Sequence, residues 1–62
     1  MKRYCAIERN KRFVVCTIGP CHDFKVLGDV RSFQTFDEAN QCAKEIADGK
    51  YGYPKGEWIN MR

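Results

Sequence analysis

The sequence contains few of the features that mark secreted, membrane-bound or catalytic proteins. No apolar stretch approaches the roughly 18 residues that a membrane-spanning helix needs. The residues after Lys2 and Arg3 include no apolar run of seven before Glu8, whereas a secretory signal carries a longer apolar segment behind its basic start. We therefore predict a cytoplasmic protein with no membrane partner.

Catalytic groups are equally scarce. His22 is the only histidine, and it adjoins Cys21, an arrangement that seldom orients a thiol toward an imidazole base. The chain has no glycine-rich phosphate loop, no H-E-x-x-H pattern and no carboxylate pair spaced for acid–base work. Its 62 residues make one small domain, 1–62, which leaves no room for separate cofactor and substrate domains. These absences predict a protein that is not an enzyme and binds no cofactor.

The four cysteines are the remaining candidates for chemistry. In a cytoplasmic protein we expect them to be reduced thiols. Cys5, Cys16, Cys21 and His22 could supply zinc ligands, but zinc ribbons use pairs of close C-x2–4-C knuckles. This chain has a single C-x4-C, interrupted by Gly19–Pro20. A zinc or thiol site is therefore the least favoured interpretation, and we predict no metal.

Two segments rich in β-branched and aromatic residues predict a hairpin near the N-terminus. Arg3–Glu8 and Phe13–Ile18 have the composition of strands, and the turn between them contains an asparagine, which tolerates positive φ. If the turn is centred on its middle two residues, paired residues have numbers that add to 21, and Cys5 lies opposite Cys16. A three-residue loop would shift that sum to 20 and exchange the faces of one strand.

In the preferred register, the alternation of side chains produces two faces of different character. The purely apolar face carries Cys5, Ile7, Val14, Cys16 and Ile18. The other face carries Tyr4, Ala6, Glu8, Phe13, Val15 and Thr17. We expect the apolar face to form the core and the second face to be exposed, so that Tyr4 and Phe13 can contact a partner. The alternative is that these two aromatic residues pack beneath the C-terminal tail.

A helix is the clearest prediction in the second half of the chain. Thr35 and Glu38 form a capping box and Gly49 is a typical C-terminal stop, so the helix is expected from about Phe36 to Asp48. We expect its apolar stripe to pack on the sheet because the residues recur at helical spacing. The stripe consists of Phe36, Ala39, Ala43, Ile46 and Ala47, with Cys42 on its flank.

The remaining segments predict one or two further strands. A third strand is expected within Phe24–Phe33, with a bend at Gly28–Asp29. The tail, 50–62, is rich in aromatic residues and contains the strand-like segment Glu57–Met61. The predicted fold is therefore α+β: an antiparallel sheet of three or four strands in the order β-β-β-α, with a possible final β and one helix packed on one face.

Charge is distributed unevenly along the chain. Four carboxylates and one lysine give the helical segment 36–48 a local charge of −3. Because the chain as a whole carries +3, the remainder carries +6. A helix covering one face of the sheet would leave a basic side formed by sheet and turns, which favours an anionic partner there. The alternative is the common tendency of helices to be acidic and turns to be basic.

One segment resembles known DNA-binding domains. Phe33, Thr35, Glu38 and Ala39 form an F-x-T-x-x-E-A pattern that resembles the strand-to-helix junction in plant ethylene-response factors and in the arm-binding domain of phage-type integrases. Those families read DNA with a three-stranded sheet, so the resemblance implies a similar architecture and role over about residues 4–48. In size and polarised charge the chain is also similar to small phage-encoded inhibitors of the anti-CRISPR type, which implies a viral protein that blocks a partner.

Two functions remain open. The first is a non-enzymatic accessory or inhibitor protein that binds a protein or nucleoprotein partner with an anionic surface, because aromatic residues and arginine are enriched at interfaces. The second is a DNA-binding domain that uses the sheet, although +3 is a modest charge for that role. The candidate binding residues are Tyr4, Arg9, Lys11, Arg12, Phe13, Lys25 and Arg31.

Overall fold

A computed structural model describes residues 2–61 as a four-stranded sheet with one α-helix. The elements are β1 (Lys2–Arg9), β2 (Arg12–Ile18), β3 (Phe24–Val26), α1 (Phe36–Ala47), a short 3-10 turn (Lys50–Gly52) and β4 (Gly56–Trp58). The strands lie side by side in the order β3-β2-β1-β4. The predicted α+β class is confirmed. Among residues 2–61, no helix has the length and apolar character to cross a membrane.

The β1–β2 hairpin has the predicted register. Cys5 pairs with Cys16, and every other pair between the two strands also has residue numbers adding to 21. Asn10 and Lys11 occupy the tip with φ values of 53° and 64°. Two consecutive positive φ angles are the signature of a type I′ turn, whose twist matches that of the flanking strands. The three-residue alternative is therefore wrong.

The sheet is mixed rather than antiparallel. β4 runs parallel to β1, with Trp58 beside Tyr4, because α1 and the 3-10 turn return the chain to the free edge of β1 before β4 begins. Gly56 allows the close approach of the two strands, since a Cβ there would overlap the carbonyl of Lys2. The expectation of an all-antiparallel sheet is wrong, and the last strand is shorter and begins earlier than the predicted Glu57–Met61.

The third strand and the helix follow the predictions more closely. β3 covers only the first three residues of its predicted range, a turn follows at 28–29, and Phe33 rejoins β2 through two backbone hydrogen bonds with Phe13 of 2.9 and 2.7 Å. The Thr35 hydroxyl accepts from the backbone N–H of Glu38 and donates to its carboxylate at 3.0 Å. The helix ends before Gly49, which has a φ of 98°, as a C-terminal glycine stop requires.

The helix covers the face of the hairpin that the sequence predicted to be exposed. Tyr4, Ala6 and Val15 are at most 1% exposed and form the core. From the helix, Ala39, Ala43, Ile46 and Ala47 complete it. The predicted core face was wrong because both hairpin faces are apolar, and alternation alone does not say which one is covered. A helix stripe made mainly of alanine fits large partners such as tyrosine better than it fits two cysteines, since protein interiors tolerate few voids.

One buried polar residue on the helix was not anticipated. Asn40 is 8% exposed; its side-chain oxygen accepts from the Trp58 indole N–H at 3.2 Å. Its amide donates to the Asn60 side-chain oxygen at 3.1 Å. These two bonds attach the last strand to the helix, and they satisfy a polar group whose burial would otherwise be unfavourable.

Candidate binding surface

The face of the sheet opposite the helix is an apolar surface that no helix of residues 2–61 covers. We call it the open face, and it consists of Cys5, Ile7, Val14, Cys16, Ile18, Phe24 and Val26. Strand alternation places these residues opposite Tyr4, Ala6 and Val15. Phe24 is 43% exposed, and the four aliphatic members are partly exposed. A contiguous apolar patch of this kind is typical of an interaction site.

Two cysteines form the floor of the open face. Cys5 and Cys16 are both 0% exposed, and their sulfur atoms lie 3.8 Å apart. Burial raises the pKa of both thiols, that of Cys16 to about 12. Both side chains are therefore protonated at neutral pH and act as small apolar groups in the folded protein.

The hairpin turn forms a basic end to this surface. The basic turn, Arg9–Arg12, is exposed at every residue. The guanidinium of Arg12 donates to the Ser32 hydroxyl at 2.6 Å and to its carbonyl at 3.3 Å. Arg31 donates to the same carbonyl at 3.3 Å, and its guanidinium lies 4.3 Å from the centre of the Phe33 ring. Two arginines 19 positions apart in sequence thus meet at one carbonyl.

The structure brings together four of the seven predicted binding residues. Arg9, Lys11 and Arg12 lie in the basic turn, and Arg31 joins Arg12 through Ser32. Lys25 is exposed on the edge strand β3. It pairs with Thr17 near the end of β2 that is remote from the turn. The basic residues therefore form one cluster and one separate lysine.

Tyr4 and Phe13 do not belong to the exposed surface. Tyr4 is 0% exposed, and its hydroxyl donates to the carbonyl of Pro54 at 2.7 Å. Phe13 packs against the core, with its ring edge-on to Phe36 at 6.0 Å. The expectation that Tyr4 would be available to a partner is wrong, because it is fully buried under α1, whereas Phe13 on the same face is half-buried. For Tyr4, packing against the C-terminal tail is the alternative that holds.

The apolar residues of the open face are the ones that sequence reasoning missed as binding candidates. A signal for them was present: β1 and β2 contain consecutive apolar residues, whereas a strand with one solvated face normally alternates. Phe24 is the aromatic residue that this face exposes, next to Ile18 across the β2–β3 pairing. The exposed aromatic residue on this face is therefore a different one from those predicted, and it lies at the end of β2 that is remote from the basic turn.

The residues considered for zinc lie in two different environments. Cys5 and Cys16 are buried in the sheet, whereas Cys21 and His22 lie in an exposed turn. Within residues 2–61, no three or more histidine, cysteine, aspartate or glutamate side chains form a group that could hold a metal ion.

A groove of about 670 Å³ runs between α1 and the loop that precedes it. Its lining includes Phe33, Cys42, Glu45 and Tyr51. Hydrogen bonds from Gln41 and Tyr51 lower the pKa of Glu45, while burial raises the pKa of the Cys42 thiol. The carboxylate is therefore ionised and the thiol protonated at neutral pH, so neither group is tuned for proton transfer or nucleophilic attack.

Comparison with known proteins adds no family assignment: no protein-family model, curated protein or solved structure matches this chain. The open face and the basic turn are therefore the features of this chain that bear on its function.

Proposed function

We propose that this chain is a non-enzymatic accessory or inhibitor protein that docks on a protein or nucleoprotein partner and blocks or adapts it. The open face supplies the contact, and the basic turn orients it. The partner has an apolar patch bordered by carboxylates or other anionic groups.

The observation that carries this proposal is the apolar character of both faces of the central hairpin. The covered face buries Tyr4, Ala6 and Val15 under α1. The open face carries Ile7, Val14 and Ile18, which no second helix in residues 2–61 covers. Strands with two apolar faces are typical of sheets covered on both sides. A partner on the open face would supply the missing layer.

Charge favours an anionic partner over a second copy of the chain in a face-to-face dimer. Arg3, Arg9 and Arg12 lie on the side of the open face, and Glu57, paired with Arg3, lies there too. Two open faces brought together would therefore bring more arginines than carboxylates into the interface, and an excess of like charge opposes association. Carboxylates around an apolar patch would instead speed the encounter and select the partner.

The proposal is tested by retention of proteins from nuclease-treated lysate on immobilised chain. Phe24→Ala should abolish retention of the partner because Phe24 is the aromatic anchor of the open face, and anchors of this kind dominate binding energy. Tyr51→Ala is the matched control, since Tyr51 is 63% exposed but lies at the helix side. A partner that Phe24→Ala retains as well as the wild-type chain does would contradict the proposal.

DNA binding is the second candidate, and the convergence of basic residues favours it. Arg9, Lys11, Arg12 and Arg31 form one cluster, and the resemblance to sheet-based DNA-binding domains points to the same activity. Titration of duplex DNA at rising salt separates the candidates because phosphate contacts release counterions. We expect weak binding, indifferent to sequence, that is lost near physiological salt. Sub-micromolar affinity that persists at physiological salt would make DNA the principal partner.

Arg9→Ala/Arg12→Ala distinguishes the two candidates in the same assays. For a protein partner, the double variant should chiefly slow association, and Phe24→Ala should be the more damaging change. For DNA, the double variant should weaken binding equally on all sequences and flatten the salt dependence. Each variant is first checked for folding by circular dichroism, because Arg12 also contacts Ser32.

A further inference from the structure

We propose that Cys5 and Cys16 form a reversible oxidation site, which passes between a dithiol and a cross-strand disulfide by exchange with a small disulfide such as oxidised glutathione. This inference stands independently of the proposed function, because it rests on the hairpin alone.

The hairpin places the two thiols within reach of each other. Their sulfur atoms are 3.8 Å apart, and the two residues are directly paired across β1 and β2. The backbone N–H of Leu27 donates to the carbonyl of Val15 at 3.0 Å. The backbone N–H and C=O of Val15 therefore point toward β3. Because these groups alternate along a strand, those of the adjacent Cys16 point toward β1.

Cys5 and Cys16 are consequently a hydrogen-bonded pair of the antiparallel ladder. In such pairs the Cα atoms are about 5.5 Å apart, which lies within the range of about 4.4–6.8 Å that disulfides span. The Cβ atoms of directly opposite residues are about 4.5–5.5 Å apart, with hydrogen-bonded pairs at the wider end of that range, whereas about 3.8 Å is typical of a disulfide. The two strands must therefore draw together at this pair for the bond to form, and the resulting strain makes it easy to reduce.

The other two cysteines are placed differently. Cys21 is exposed in the turn before β3, and Cys42 is half-buried on α1, on the far side of the sheet from the open face. Cys21 is therefore open to mixed disulfides with solutes but does not face another cysteine across a strand pair. The disulfide we propose is specific to Cys5 and Cys16 because pairing, not exposure, selects it.

The exchange proceeds in two steps. One of the two thiols loses its proton and its thiolate attacks one sulfur of oxidised glutathione; that S–S bond breaks, and one glutathione leaves and takes up the proton. The thiolate of the other cysteine then attacks the protein sulfur of the mixed disulfide and displaces the second glutathione, which is also protonated. Two electrons and two protons thus pass from the protein to oxidised glutathione, which becomes two glutathione thiols.

Either sulfur of the 3.8 Å contact can be the donor, so the two thiols are equivalent as the first nucleophile. Both sulfurs are shielded from solvent, so the hairpin must open locally before the first step. Formation should therefore be slow, and Cys21 should acquire glutathione first.

The test uses the full chain, incubated with mixtures of oxidised and reduced glutathione, quenched in acid, alkylated and digested with trypsin. Cleavage at the flanking basic residues yields peptides 4–9, with Cys5, and 13–25, with Cys16 and Cys21. We expect a linked pair of these peptides that lacks the mass of two hydrogen atoms and disappears when reduced glutathione is restored. The Cys21→Ser variant should still form the link, because its only thiol in 13–25 is Cys16.

A second measurement reports the consequence for the hairpin. Oxidation should slow amide hydrogen exchange in 5–16 by about tenfold, because the link closes the hairpin and restricts its opening. Cys16→Ala should show neither the link nor the slowing. The proposal would be overturned if Cys5 and Cys16 were still free thiols in oxidised glutathione after the hairpin amides had fully exchanged. It would also be overturned if Cys21→Ser abolished the link. If Cys16→Ala does not fold, the wild-type chain and Cys21→Ser decide the matter.

Discussion

The two faces of the central hairpin have similar apolar composition but different surroundings. On the covered face, Tyr4 and Val15 meet a helix whose contact stripe is largely alanine. On the open face, Cys5 and Cys16 lie at the centre and the larger Ile7 and Ile18 remain partly exposed. The difference shows that size complementarity decided which face the helix covers. Hydrophobicity alone did not distinguish them.

The two faces are expected to have different roles, one in stability and the other in binding. Residues of the covered face have lost nearly all their exposure, so their truncation leaves a cavity that the fold cannot easily refill. The residues of the open face other than Cys5 and Cys16 retain exposure, so their truncation should leave the fold intact and affect a partner instead. Four predictions test this division, in order of decreasing effect on stability.

The largest difference in stability should be between variants of the aromatic residues on the two faces. Tyr4→Ala removes the largest fully buried side chain and its hydrogen bond to Pro54. We expect it to lower the free energy of unfolding by about 3–5 kcal/mol, enough to unfold a domain of this size. Phe24→Ala should lower it by less than about 1 kcal/mol. Urea denaturation followed by circular dichroism measures both, and equal losses would contradict the division.

The second prediction concerns β4, which brings Trp58 onto the covered face. Gly56→Ala should reduce stability by about 2 kcal/mol, because the added methyl group would overlap the backbone of Lys2 and force β4 away from β1. Gly28→Ala is the matched control, since a Cβ at Gly28 meets nothing within 4 Å. It should change stability by less than about 0.5 kcal/mol. A tolerated Gly56→Ala would mean that the parallel β1–β4 pairing contributes little.

The third prediction uses pH to examine the floor of the open face. The pKa of Cys16 is raised to about 12 in the folded protein, so the unfolded chain releases the thiol proton at lower pH than the folded chain. The contribution of the Cys16 thiol to the free energy of unfolding is therefore present below its ordinary pKa and is lost as pH rises toward 12. As the unfolded chain releases the Cys16 proton, the unfolding free energy should fall by about 1.4 kcal/mol per pH unit in that interval.

The measurement for this third prediction is urea denaturation between pH 8 and 11 under reducing conditions. Cys16→Ala should make the fall of the unfolding free energy with pH less steep by the contribution of one thiol, whatever its effect on stability at pH 8. Cys21→Ser is the control, because it removes a cysteine that is exposed rather than buried. An unchanged slope in Cys16→Ala would mean that the pair is accessible to water.

The smallest effect should come from Glu45 on α1 and the side chains that donate hydrogen bonds to it. Hydrogen bonds from Gln41 and then Tyr51 lower the pKa of Glu45. Because the fold lowers this pKa, the stabilisation by ionised Glu45 is present above the pKa of the unfolded chain and is lost as pH falls through the pKa of the folded chain. Tyr51→Phe should raise the carboxyl midpoint in an NMR titration without a measurable change in stability at pH 7. A midpoint that stays fixed would show that the Tyr51 hydroxyl does not contribute.

Local structure was largely determined by short segments of the sequence. The hairpin register followed from a turn of two residues that accept positive φ, and the bounds of α1 followed from Thr35 and Gly49. Each of these signals acts over a few residues and requires nothing from the rest of the chain. The clustering of Arg9, Lys11 and Arg12 was also visible in the sequence, because a hairpin turn keeps neighbours together.

Tertiary structure decided the covered face, the direction of β4 and the composition of the binding surface. The covered face depended on the fit between the alanines of α1 and Tyr4, which lie more than 30 positions apart. The meeting of Arg31 with Arg12 required the loop after β3 to return to β2 at Phe33. These features depend on volumes and contacts between distant segments, whereas sequence patterns report only which side chains share a face.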